Sequence, residues 1–447
     1  MPFSPWPLPP VPDVDLASFA LRHAARLAGR PALIDDRVVT YGELAERVER
    51  AAPALRGRAV VPVQLPNGAD FVVQLLAGLR AGAAVTTVSP LYTEREVTNH
   101  LRIAQTLSEP GDIALLLSSS GTTGLPKVVQ LSHRAVVANL CQTTAVYPYN
   151  EGERVLGLAP FFHSMGLIVV LLHALASGAT VVVMPRFDPE AMLATIDEHQ
   201  VSQVLIPPPV LQFLARHPLI DRFDLSSLNV VGCGGAPPGA ELTRAAGERL
   251  DCLVAEGYGI TEFGPMVAVS PMQPDLVRHG SVGHLMPGTE GKIVDGEVWV
   301  RGPQRMSGYL GNPEATAATI DADGWLHTGD TGRFDDDGYL YLGDRIKELI
   351  KVKGFQVAPA ELEAVLRLHP AVADAAVVRV PDSETGERPK AFVVTRGELD
   401  VDELRSFVAE QVAEYKRIDE IEEIDALPRS PTGKLLRRML VAEAVAS

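Results

Sequence analysis

The sequence predicts an α/β fold. We expect a large N-terminal domain of parallel-rich sheets covered by helices, with a β-rich subdomain, and then a small mobile α+β domain. Up to residue 280, apolar runs alternate with amphipathic stretches, which is typical of buried parallel strands joined by helices. After that point short strand patterns flank turn signals. The chain has 447 residues, too many for one ordinary core, so two or three domains are expected.

The first part of the chain supplies the strand–helix alternation. The pattern over 31–43 indicates a small hairpin, and the amphipathic stretch 41–54 indicates a helix. Further strands are predicted where apolar residues run together, at 59–65, 84–89, 113–117, 155–158, 180–184, 201–206, 228–231 and 252–255. Further helices are predicted where apolar residues recur at helical spacing, at 71–81, 167–176, 189–199 and 240–250.

The last part of the chain has a different pattern. Two short strands over 292–301 flank Asp295-Gly296, a hairpin turn signal, and a strand at 339–342 follows Asp337-Gly338. A helix starts at Pro359, because proline is favoured at the first helical position. Strands at 372–380 and 391–394 and a helix at 401–415 complete a small module. We place the domains at 1–345 and 346–447.

Composition limits the kinds of partner. The formal net charge of −16 argues against nucleic acid, and it means that a polyanionic ligand must be met by local positive charge. The cysteines Cys141, Cys233 and Cys252 have no paired spacing, which indicates a reducing compartment. The N-terminus lacks the basic region of a signal peptide, and polar or small residues interrupt the longest apolar stretch, 165–184. We expect a cytoplasmic protein without a membrane span, a monomer or homodimer that acts on small molecules.

Lysine is scarce in this chain. Only eight of its 40 basic residues are lysines, so a lysine marks a position where a compact ammonium is needed and a guanidinium will not serve. Chance clustering is the alternative. The lysines are Lys127, Lys292, Lys347, Lys351, Lys353, Lys390, Lys416 and Lys434, and five of them fall in the motifs below.

The predicted strand 113–117 leads into a loop of small and hydroxyl residues, which reads SSSGTTGLPK from Ser118 to Lys127. Small residues let backbone N–H groups approach a ligand, hydroxyls add donors, and Lys127 adds a positive charge, so the loop suits an oxyanion. The alternative is a mobile surface turn, but a flexible linker has no reason to follow a buried strand and end in Pro-Lys. The spacing is not that of a Walker loop.

Two further motifs follow predicted strands, at the sheet edge where α/β proteins bind ligands. Residues 232–237 read GCGGAP, and residues 256–262 read EGYGITE. The second motif offers an aromatic face at Tyr258, a hydroxyl at Thr261 and a carboxylate at Glu262. The alternative for that loop is a core tyrosine beside a turn.

Four more motifs have both a functional and a structural interpretation. Residues 324–330, GWLHTGD, end in Asp330, which can accept both hydroxyls of a ribose or belong to a plain surface turn. Residues 345–353 carry four cations against one acid, and the alternative is a solvated charged face. Residues 428–434, PRSPTGK, place a glycine before Lys434, which is otherwise a solvated tail cation. Residues 160–166, PFFHSMG, contain His163, and a lone histidine after a strand is often structural.

Taken together, these motifs resemble the adenylate-forming superfamily, which includes acyl-CoA synthetases, luciferases and peptide-synthetase adenylation domains. SSSGTTGLPK is similar to its phosphate-binding loop, and residues 344–361, DRIKELIKVKGFQVAPAE, are similar to the 4-coumarate–CoA ligase branch almost residue for residue. The resemblance covers nearly the whole chain. It implies ATP, Mg²⁺ and CoA, with a small carboxylic acid as the remaining substrate.

The resemblance implies a nucleotide site and a metal site. It places adenine on Tyr258, ribose on Asp330 with Arg345 beside it, phosphate on Thr261 and Mg²⁺ on Glu262. The other implied nucleotide-binding residues are Ser119, Ser120, Gly121, Thr122, Thr123, Lys127, Gly235, Ala236 and Pro237.

The resemblance also implies catalytic residues, a hinge and a pocket. It makes Lys434 the catalytic lysine of adenylation and Lys347 the hinge between the domains. Lys351 and Gln356 match residues of the two half-reactions, and Lys353-Gly354 match a turn that faces CoA. The implied acyl pocket, which His163 closes, consists of His163, Ser164, Met165, Gly232, Cys233, Gly234, Gly257, Gly259, Pro265 and Met266.

The chain departs from the family pattern in three places. A segment of several dozen residues is missing around Gln105–Glu109, which puts fold stability or subdomain packing in doubt more than catalysis. Val128 stands where a glycine usually follows the loop lysine. Gly232 replaces a lysine and Met165 a tyrosine in the acyl pocket, which predicts a preference for apolar acids over hydroxylated ones.

The sequence therefore predicts an ATP-dependent carboxylate–CoA ligase that works through an acyl-adenylate, acting on an apolar aryl acid (cinnamate- or benzoate-like) or a medium-chain acid. An adenylating amide synthetase or carrier-protein ligase would share every ATP motif and differ only at the acceptor. A non-catalytic relic is suggested by the missing segment, but intact Lys434, Glu262 and Asp330 argue against it.

Overall fold

The computed structural model describes residues 4–119, 127–352, 355–382, 385–430, 433 and 435–446. The chain forms two compact units, which alternate along the sequence. Unit 1 comprises Met1–Lys292, Trp299–Thr328 and Phe334–Tyr341, and unit 2 comprises Ile293–Val298, Gly329–Arg333 and Leu342–Ser447. The boundary that the sequence predicts after residue 345 stays a prediction.

Several helices begin at a residue whose side chain caps the free N–H groups of the first turn. Asp15, Thr40, Thr93, Ser132 and Asp188 each accept a hydrogen bond from the first turn of a helix. The helices are α1 (Leu16–Ala20), α2 (Tyr41–Ala51), α3 (Ala69–Arg80), α4 (Glu94–Ala104), α5 (His133–Val146), α6 (His173–Ser177), α7 (Pro189–His199), α8 (Pro208–Arg216), α9 (Ala240–Leu250), α10 (Pro313–Thr319), α11 (Pro359–Leu368), α12 (Val401–Ala409) and α13 (Arg437–Ala446).

The strands are short, and many of those in unit 1 are buried along most of their length. They are β1 (Pro31–Ile34), β2 (Val38–Thr40), β3 (Val60–Val63), β4 (Ala84–Thr87), β5 (Ile113–Ser119), β6 (Lys127–Ser132), β7 (Arg154–Gly157), β8 (Thr180–Val183), β9 (Gln203–Ile206), β10 (Val230–Cys233), β11 (Leu253–Gly259), β12 (Met266–Val269), β13 (His284–Leu285), β14 (Glu290–Val294), β15 (Glu297–Arg301), β16 (Gly308–Tyr309), β17 (Leu326–Phe334), β18 (Leu340–Arg345), β19 (Ile350–Val352), β20 (Phe355–Val357), β21 (Val372–Asp382), β22 (Gly386–Thr395) and β23 (Glu420–Glu423).

The largest sheet has the strand order β13-β12-β11-β10-β9-β7-β8-β1-β2. Its centre, from β11 to β1, is parallel, and its two ends are antiparallel. A second sheet, β16-β6-β5-β4-β3, is parallel from β3 to β5 and antiparallel beyond it. The parallel-rich α/β architecture is thus confirmed, with antiparallel strands added at the edges.

The predicted hairpin around Asp295-Gly296 is present. Asp295 has φ 49° and Gly296 has φ 83°, and two positive values in succession are what a tight two-residue hairpin turn requires. The two strands that flank this turn, β14 and β15, belong to a sheet with the order β14-β15-β17-β18.

The C-terminal module is α+β, as the sequence predicts. Its sheet has the order β20-β19-β22-β21, and β23 adds to β22 in parallel. The long pair β21 and β22 forms the centre, and α11 and α12 contribute Leu362, Leu366, Leu404 and Val408 to one core. Leu440 of α13 belongs to a second core with Phe392.

Three predictions of local structure were wrong in extent. The helix expected over 401–415 ends at Ala409, because Ala413 is extended and a separate turn places Tyr415 against Phe355, with ring centroids 4.6 Å apart. The helix expected over 167–176 is π-helical from Met165 to Leu172 before α6 begins. The motif expected after the strand 252–255 lies partly inside it, because β11 continues to Gly259 by pairing with β12.

Several elements were missed. Helices α4, α5 and α8 and strand β6 received no prediction from the sequence. Local signals existed for two of them, since Thr93 and Glu96 form a capping box at the start of α4, and Pro207–Pro209 open α8.

Candidate active site

The predicted phosphate loop connects two antiparallel strands. Ser119 at the end of β5 and Lys127 at the start of β6 are paired, so they form the base of the loop. The predicted ligands Ser120, Gly121, Thr122 and Thr123 lie outside the described residues. The structure therefore describes only the base of the loop, where the end of β5 is paired with the start of β6.

Lys127 faces an aromatic ring. Its Nζ lies 4.6 Å from the centroid of Tyr309, which is 7 % exposed. The hydroxyl of Tyr309 donates a hydrogen bond of 2.9 Å to Oε1 of Glu262, the predicted metal ligand. One tyrosine therefore contacts both the loop lysine and the carboxylate, which come from different motifs. Cation–π attraction and a hydrogen bond to a charged acceptor are both stabilising in such a partly buried place.

The histidine motif and the Thr261 motif meet. Oγ of Ser164 lies 3.3 Å from Oγ1 of Thr261, so the two hydroxyls are hydrogen-bonded. His163 stands in the preceding turn, where its Nδ1 accepts a hydrogen bond of 3.3 Å from the backbone N–H of Met165. This bond orients the imidazole ring of His163 at the start of the π-helical segment.

Glycines and methionines lie together at the ends of β10 and β11. A Cβ built on Gly234 would be 3.9 Å from Sδ of Met165 and 3.6 Å from the carbonyl oxygen of Gly257. A Cβ built on Gly257 would be 3.6 Å from Cε of Met266. The structure thus brings together four residues of the predicted acyl pocket. The two methionine side chains carry thioethers, and the two glycines have no side chain beyond a hydrogen atom. The side-chain surface that these residues form is therefore apolar.

Leu205 and Tyr147 fill the space that a side chain at position 232 would need. A Cβ built there would lie 2.9 Å from both Cδ1 of Leu205 and the hydroxyl oxygen of Tyr147. That oxygen is buried, and among the described residues it has no hydrogen-bond partner. Because it has essentially no accessible surface, it closes the space beside Gly232 without presenting a polar atom to the pocket.

The side chain of Cys233 points away from Gly232 and Gly234, as alternation along a strand requires. It belongs to the core cluster with Val231 and Val254, so only its backbone can face the pocket. Burial raises the pKa of the Cys233 thiol well above its usual range, and the nearby carboxylate of Glu256 adds to the rise.

Glu256, at the start of the EGYGITE motif, is a buried carboxylate. It is 4 % exposed, and it accepts a hydrogen bond of 2.7 Å from the backbone N–H of Gly280. Burial raises the pKa of Glu256 to about 7, and the hydrogen bond from Gly280 opposes the rise. No individual role for this glutamate is predicted from the sequence.

The remaining predicted residues of unit 1 lie around the same strand ends. Tyr258 is buried in β11, opposite Ala268 of β12. Gly259 pairs with Met266, and the carbonyl oxygen of Pro265 accepts from the backbone N–H of Ile260 at 3.0 Å. The predicted nucleotide residues that follow β10 are exposed or half-buried: Gly235, Ala236 and Pro237.

In unit 2 the predicted ribose residues form an ion pair. Nε of Arg345 lies 3.0 Å from Oδ1 of Asp330, which is 7 % exposed. The adjacent Asp344 is also buried, and both of its carboxylate oxygens accept from the backbone N–H of Ala360 at the start of α11. Burial raises the pKa of Asp344 to about 6, opposed by that hydrogen bond and by the charge of Arg437.

Arg437 is a buried ion-pair centre. Its Nε lies 2.8 Å from Glu348, its guanidinium also pairs with Glu363, and it donates to the carbonyl oxygen of Val377 at 3.0 Å. Burial lowers the pKa of Arg437, but the carboxylates of Glu363 and Glu348 outweigh that effect and raise it overall. The charge of Arg437 is therefore neutralised by two carboxylates and does not contribute to attracting an anionic substrate.

The lysine-rich run forms a hairpin. Lys351 of β19 and Gln356 of β20 are directly paired. Lys353 and Gly354, between these strands in the sequence, lie outside the described residues. Lys351 is exposed. The hinge candidate Lys347 lies in the short helical turn Ile346–Glu348.

The predicted catalytic lysine, Lys434, lies outside the described residues. Its neighbours are described: the backbone N–H of Gly433 donates to Ser430 at 2.8 Å, and Arg429 donates to the carbonyl oxygen of Gly433 at 3.0 Å. Arg429 is held in turn by Asp374, at 2.6 Å.

The carboxylate of Glu262 suits a magnesium ion held mainly by a nucleotide. Within the described part of the chain, no group of three or more His, Cys, Asp or Glu side chains is arranged to hold a metal by itself. Mg²⁺ commonly takes one or two carboxylates together with phosphate oxygens and waters, so a single glutamate beside a phosphate loop fits that chemistry. In the same described ranges, no helix has the length and apolarity to cross a membrane.

Sequence reasoning missed Tyr309 and Tyr147. Tyr309 lies in the short strand β16, which pairs with β6 directly after the phosphate loop. Its motif, Ser307-Gly308-Tyr309, gives only a weak local signal. Tyr147 caps the C-terminal end of α5, a helix that received no prediction. Only the tertiary structure shows that it lies against Gly232.

Comparison with known proteins identifies the family. The family described as AMP-binding enzyme matches residues 21–106 and 102–310, and the AMP-binding enzyme C-terminal domain matches residues 361–434. The break in the first match, at 102–106, falls beside the place where the sequence lacks a segment.

A relative is 4-coumarate–CoA ligase 5 of Oryza sativa subsp. japonica, 37 % identical over 516 aligned residues that cover 98 % of this chain and 96 % of the relative. Because this alignment is longer than the 447 residues of the chain, the relative has residues that the chain lacks.

Two solved structures share the fold. One is the anthranilate CoA ligase AuaEII in complex with anthranoyl-AMP, with a TM-score of 0.86, 25 % identity and coverage of 98 % of both chains. The other is the amide bond synthetase McbA from Marinactinospora thermotolerans, with a TM-score of 0.86, 28 % identity and coverage of 96 % of this chain and 100 % of that chain. The chain therefore belongs to the AMP-binding enzyme family, and it carries both the main domain of that family and its C-terminal domain.

Proposed function

We propose that the protein is an ATP-dependent carboxylate–CoA ligase that works through an acyl-adenylate. The observation that carries the proposal is that Tyr309 contacts both Lys127, the predicted loop cation, and Glu262, the predicted metal ligand. The apolar surface around Met165, Gly234 and Met266 lies at the ends of β10 and β11, the second of which leads to Glu262, and it suits the acyl group.

In the first half-reaction the acid attacks the α-phosphate of ATP, an acyl-adenylate forms and pyrophosphate leaves. The task of the protein is to neutralise charge on the phosphates as they move. We assign that task to Lys127, to Ser119–Thr123 and to Lys434. Glu262 would hold Mg²⁺, which when bound neutralises phosphate charge. Tyr258 and the Asp330–Arg345 pair would hold the adenine and the ribose.

In the second half-reaction the thiol of CoA attacks the acyl carbonyl and AMP leaves. We assign the CoA contact to Lys353-Gly354 and supporting roles to Lys351 and Gln356. Lys347 would be the hinge about which residues 346–447 turn between the two half-reactions, while residues 1–345 hold the nucleotide. A domain movement of this kind lets one site perform two unlike reactions.

The acid is proposed to be an apolar aryl acid, cinnamate- or benzoate-like, or a medium-chain acid. Gly232 has no side chain, the hydroxyl of Tyr147 behind it is inaccessible, and Met165 and Met266 are thioethers. A surface of this kind leaves a buried hydroxyl of the substrate without a partner, which costs free energy. The similar rice ligase and AuaEII have names that point to aryl acids, in agreement with this class.

An adenylating amide synthetase is the second candidate. The similarity to McbA favours it, because an amide synthetase would share the adenylation chemistry and accept an amine in place of CoA. A carrier-protein ligase would differ in the same way. We further propose a cytoplasmic location and a monomeric or homodimeric state.

The proposal is tested with purified protein and a panel of aryl and medium-chain acids. ATP–pyrophosphate exchange measures adenylate formation, and mass spectrometry after addition of CoA or of simple amines identifies the product. We expect exchange with at least one apolar acid and an acyl-CoA product. Exchange followed only by an amide overturns the ligase assignment, and absence of exchange with every acid favours a non-catalytic relic.

A further inference from the structure

A buried histidine lies at the base of the phosphate loop. His100, on α4, is 5 % exposed. Its Nδ1 is 2.8 Å from Oγ of Ser118, and its Nε2 is 2.6 Å from Oγ1 of Thr86. Ser118 immediately precedes Ser119, which pairs with Lys127 across the base of the loop. No role for His100 is predicted from the sequence.

The hydrogen bonds determine where each proton lies. Oγ1 of Thr86 donates to the carbonyl oxygen of Leu116 at 2.8 Å, and a hydroxyl has only one proton. Thr86 must therefore accept from His100, so Nε2 carries the imidazole proton. Burial lowers the pKa of His100, which keeps the ring neutral, so Nδ1 is an acceptor. Ser118 then donates its only hydroxyl proton to Nδ1.

This direction has a consequence for Ser118. A hydroxyl whose proton is committed to His100 can only accept further hydrogen bonds, so it cannot donate to a phosphate oxygen. Ser118 thus belongs to the support of the loop, although its residue type and position would suit a phosphate ligand.

We propose that His100 is a positioning residue of the phosphate loop, holding the end of β5 through Ser118 and through Thr86 to Leu116. The proposal rests on the assignment of the loop to ATP binding. On this proposal, α4 supports the phosphate loop. The helix ends at Ala104, and residues 105–112 join it directly to β5, where the family pattern has a longer segment. The histidine ties the two ends of this short connection together.

The proposal is tested with four variants of the full chain: His100→Leu, His100→Gln, Ser118→Ala and the double variant His100→Leu/Ser118→Ala. Glutamine offers one acceptor and one donor about as far apart as the ring nitrogens, so it can replace both bonds. The control is His133→Leu on α5, because His133 also accepts one hydrogen bond, from the backbone N–H of Leu16 at 3.0 Å. ATP binding is measured by calorimetry, and KM values by pyrophosphate exchange.

We expect His100→Leu to raise Kd and KM for ATP roughly three- to tenfold, the scale for one or two lost neutral hydrogen bonds. KM for the acid should stay within about twofold, and His100→Gln should bind ATP almost as the parent does. Ser118→Ala should weaken ATP binding by no more than His100→Leu does, because it removes one of the two bonds of His100. The double variant should be no worse than His100→Leu, which already removes the bond to Ser118.

Three results would overturn the inference. The first is unchanged ATP binding in both His100→Leu and Ser118→Ala. The second is an equal loss in His133→Leu, which would reduce His100 to general packing. The third is additivity in the double variant, which would mean that Ser118 contacts ATP itself. If His100→Leu does not fold, Ser118→Ala and His100→Gln still decide. Because calorimetry needs no turnover, failure of the ligase assignment leaves this test intact.

Discussion

The hydroxyl of Tyr309 is the contact whose removal says most about the site. In Tyr309→Phe the ring that faces Lys127 remains, and the 2.9 Å hydrogen bond to Glu262 is lost. A hydrogen bond to a charged group contributes about 1.5–3 kcal/mol. Glu262 is half-buried, so water can replace part of the bond and the lower end applies. About 1.5 kcal/mol corresponds to roughly a tenfold change in an equilibrium constant.

We therefore expect the free Mg²⁺ concentration needed for half-maximal pyrophosphate exchange to rise about tenfold in Tyr309→Phe, with KM for the acid little changed. Tyr339→Phe is a matched control. Tyr339 is also buried, donates a hydrogen bond of 2.7 Å to the carbonyl oxygen of Leu276, and lies under the guanidinium of Arg278 at 4.0 Å. An unaltered Mg²⁺ requirement in Tyr309→Phe, or the same shift in Tyr339→Phe, would refute the reasoning.

Four further predictions concern chemistry, specificity and stability. Lys434→Ala should slow adenylate formation at least roughly a hundredfold, the scale for one charge-stabilising donor, while thioester formation from supplied acyl-adenylate is nearly unaffected; equal losses would contradict the assignment. Lys353→Glu should raise KM for CoA, less so at high salt, and leave pyrophosphate exchange intact; a salt-independent or absent effect would count against the CoA contact. The apolar pocket should give a higher kcat/KM for cinnamate than for 4-coumarate, and the reverse order would mean that another residue meets the hydroxyl. Finally, the pKa of Glu256 is raised from 4.5 to about 7, so the folded state favours the protonated form and stability falls as pH rises through that window. Melting temperatures of Glu256→Gln should vary less than those of the parent between about pH 5 and 8, and parallel pH profiles would contradict the raised pKa.

The local pattern of the sequence determined most of the elements. Strands such as β8 and β9 and helices such as α7 and α9 follow from runs and periodicities of apolar residues, because burial on one side of an element repeats at fixed spacing along the chain. Helix α5 was missed because its residues are buried on most sides. Its sequence therefore lacks the alternation of apolar and polar positions that marks an amphipathic helix. The extent of β11 depended on its partner β12, which local pattern does not specify.

The sequence also determined which residue types stand in each motif, because the residues of a motif are neighbours along the chain. It did not determine which motifs meet. Lys127, Glu262 and Tyr309 are far apart in sequence, and their contact exists only because β16 pairs with β6 beside the turn that holds Glu262. Tertiary packing likewise decided that Cys233 is buried in the core, that the charge of Arg437 is neutralised and that His100 is linked to Ser118. The residue types of a motif are neighbours in the sequence, so they can be identified without a structure. The hydrogen bonds, ion pairs and burial described above depend on contacts between distant segments, which the spacing of residues along the chain does not specify.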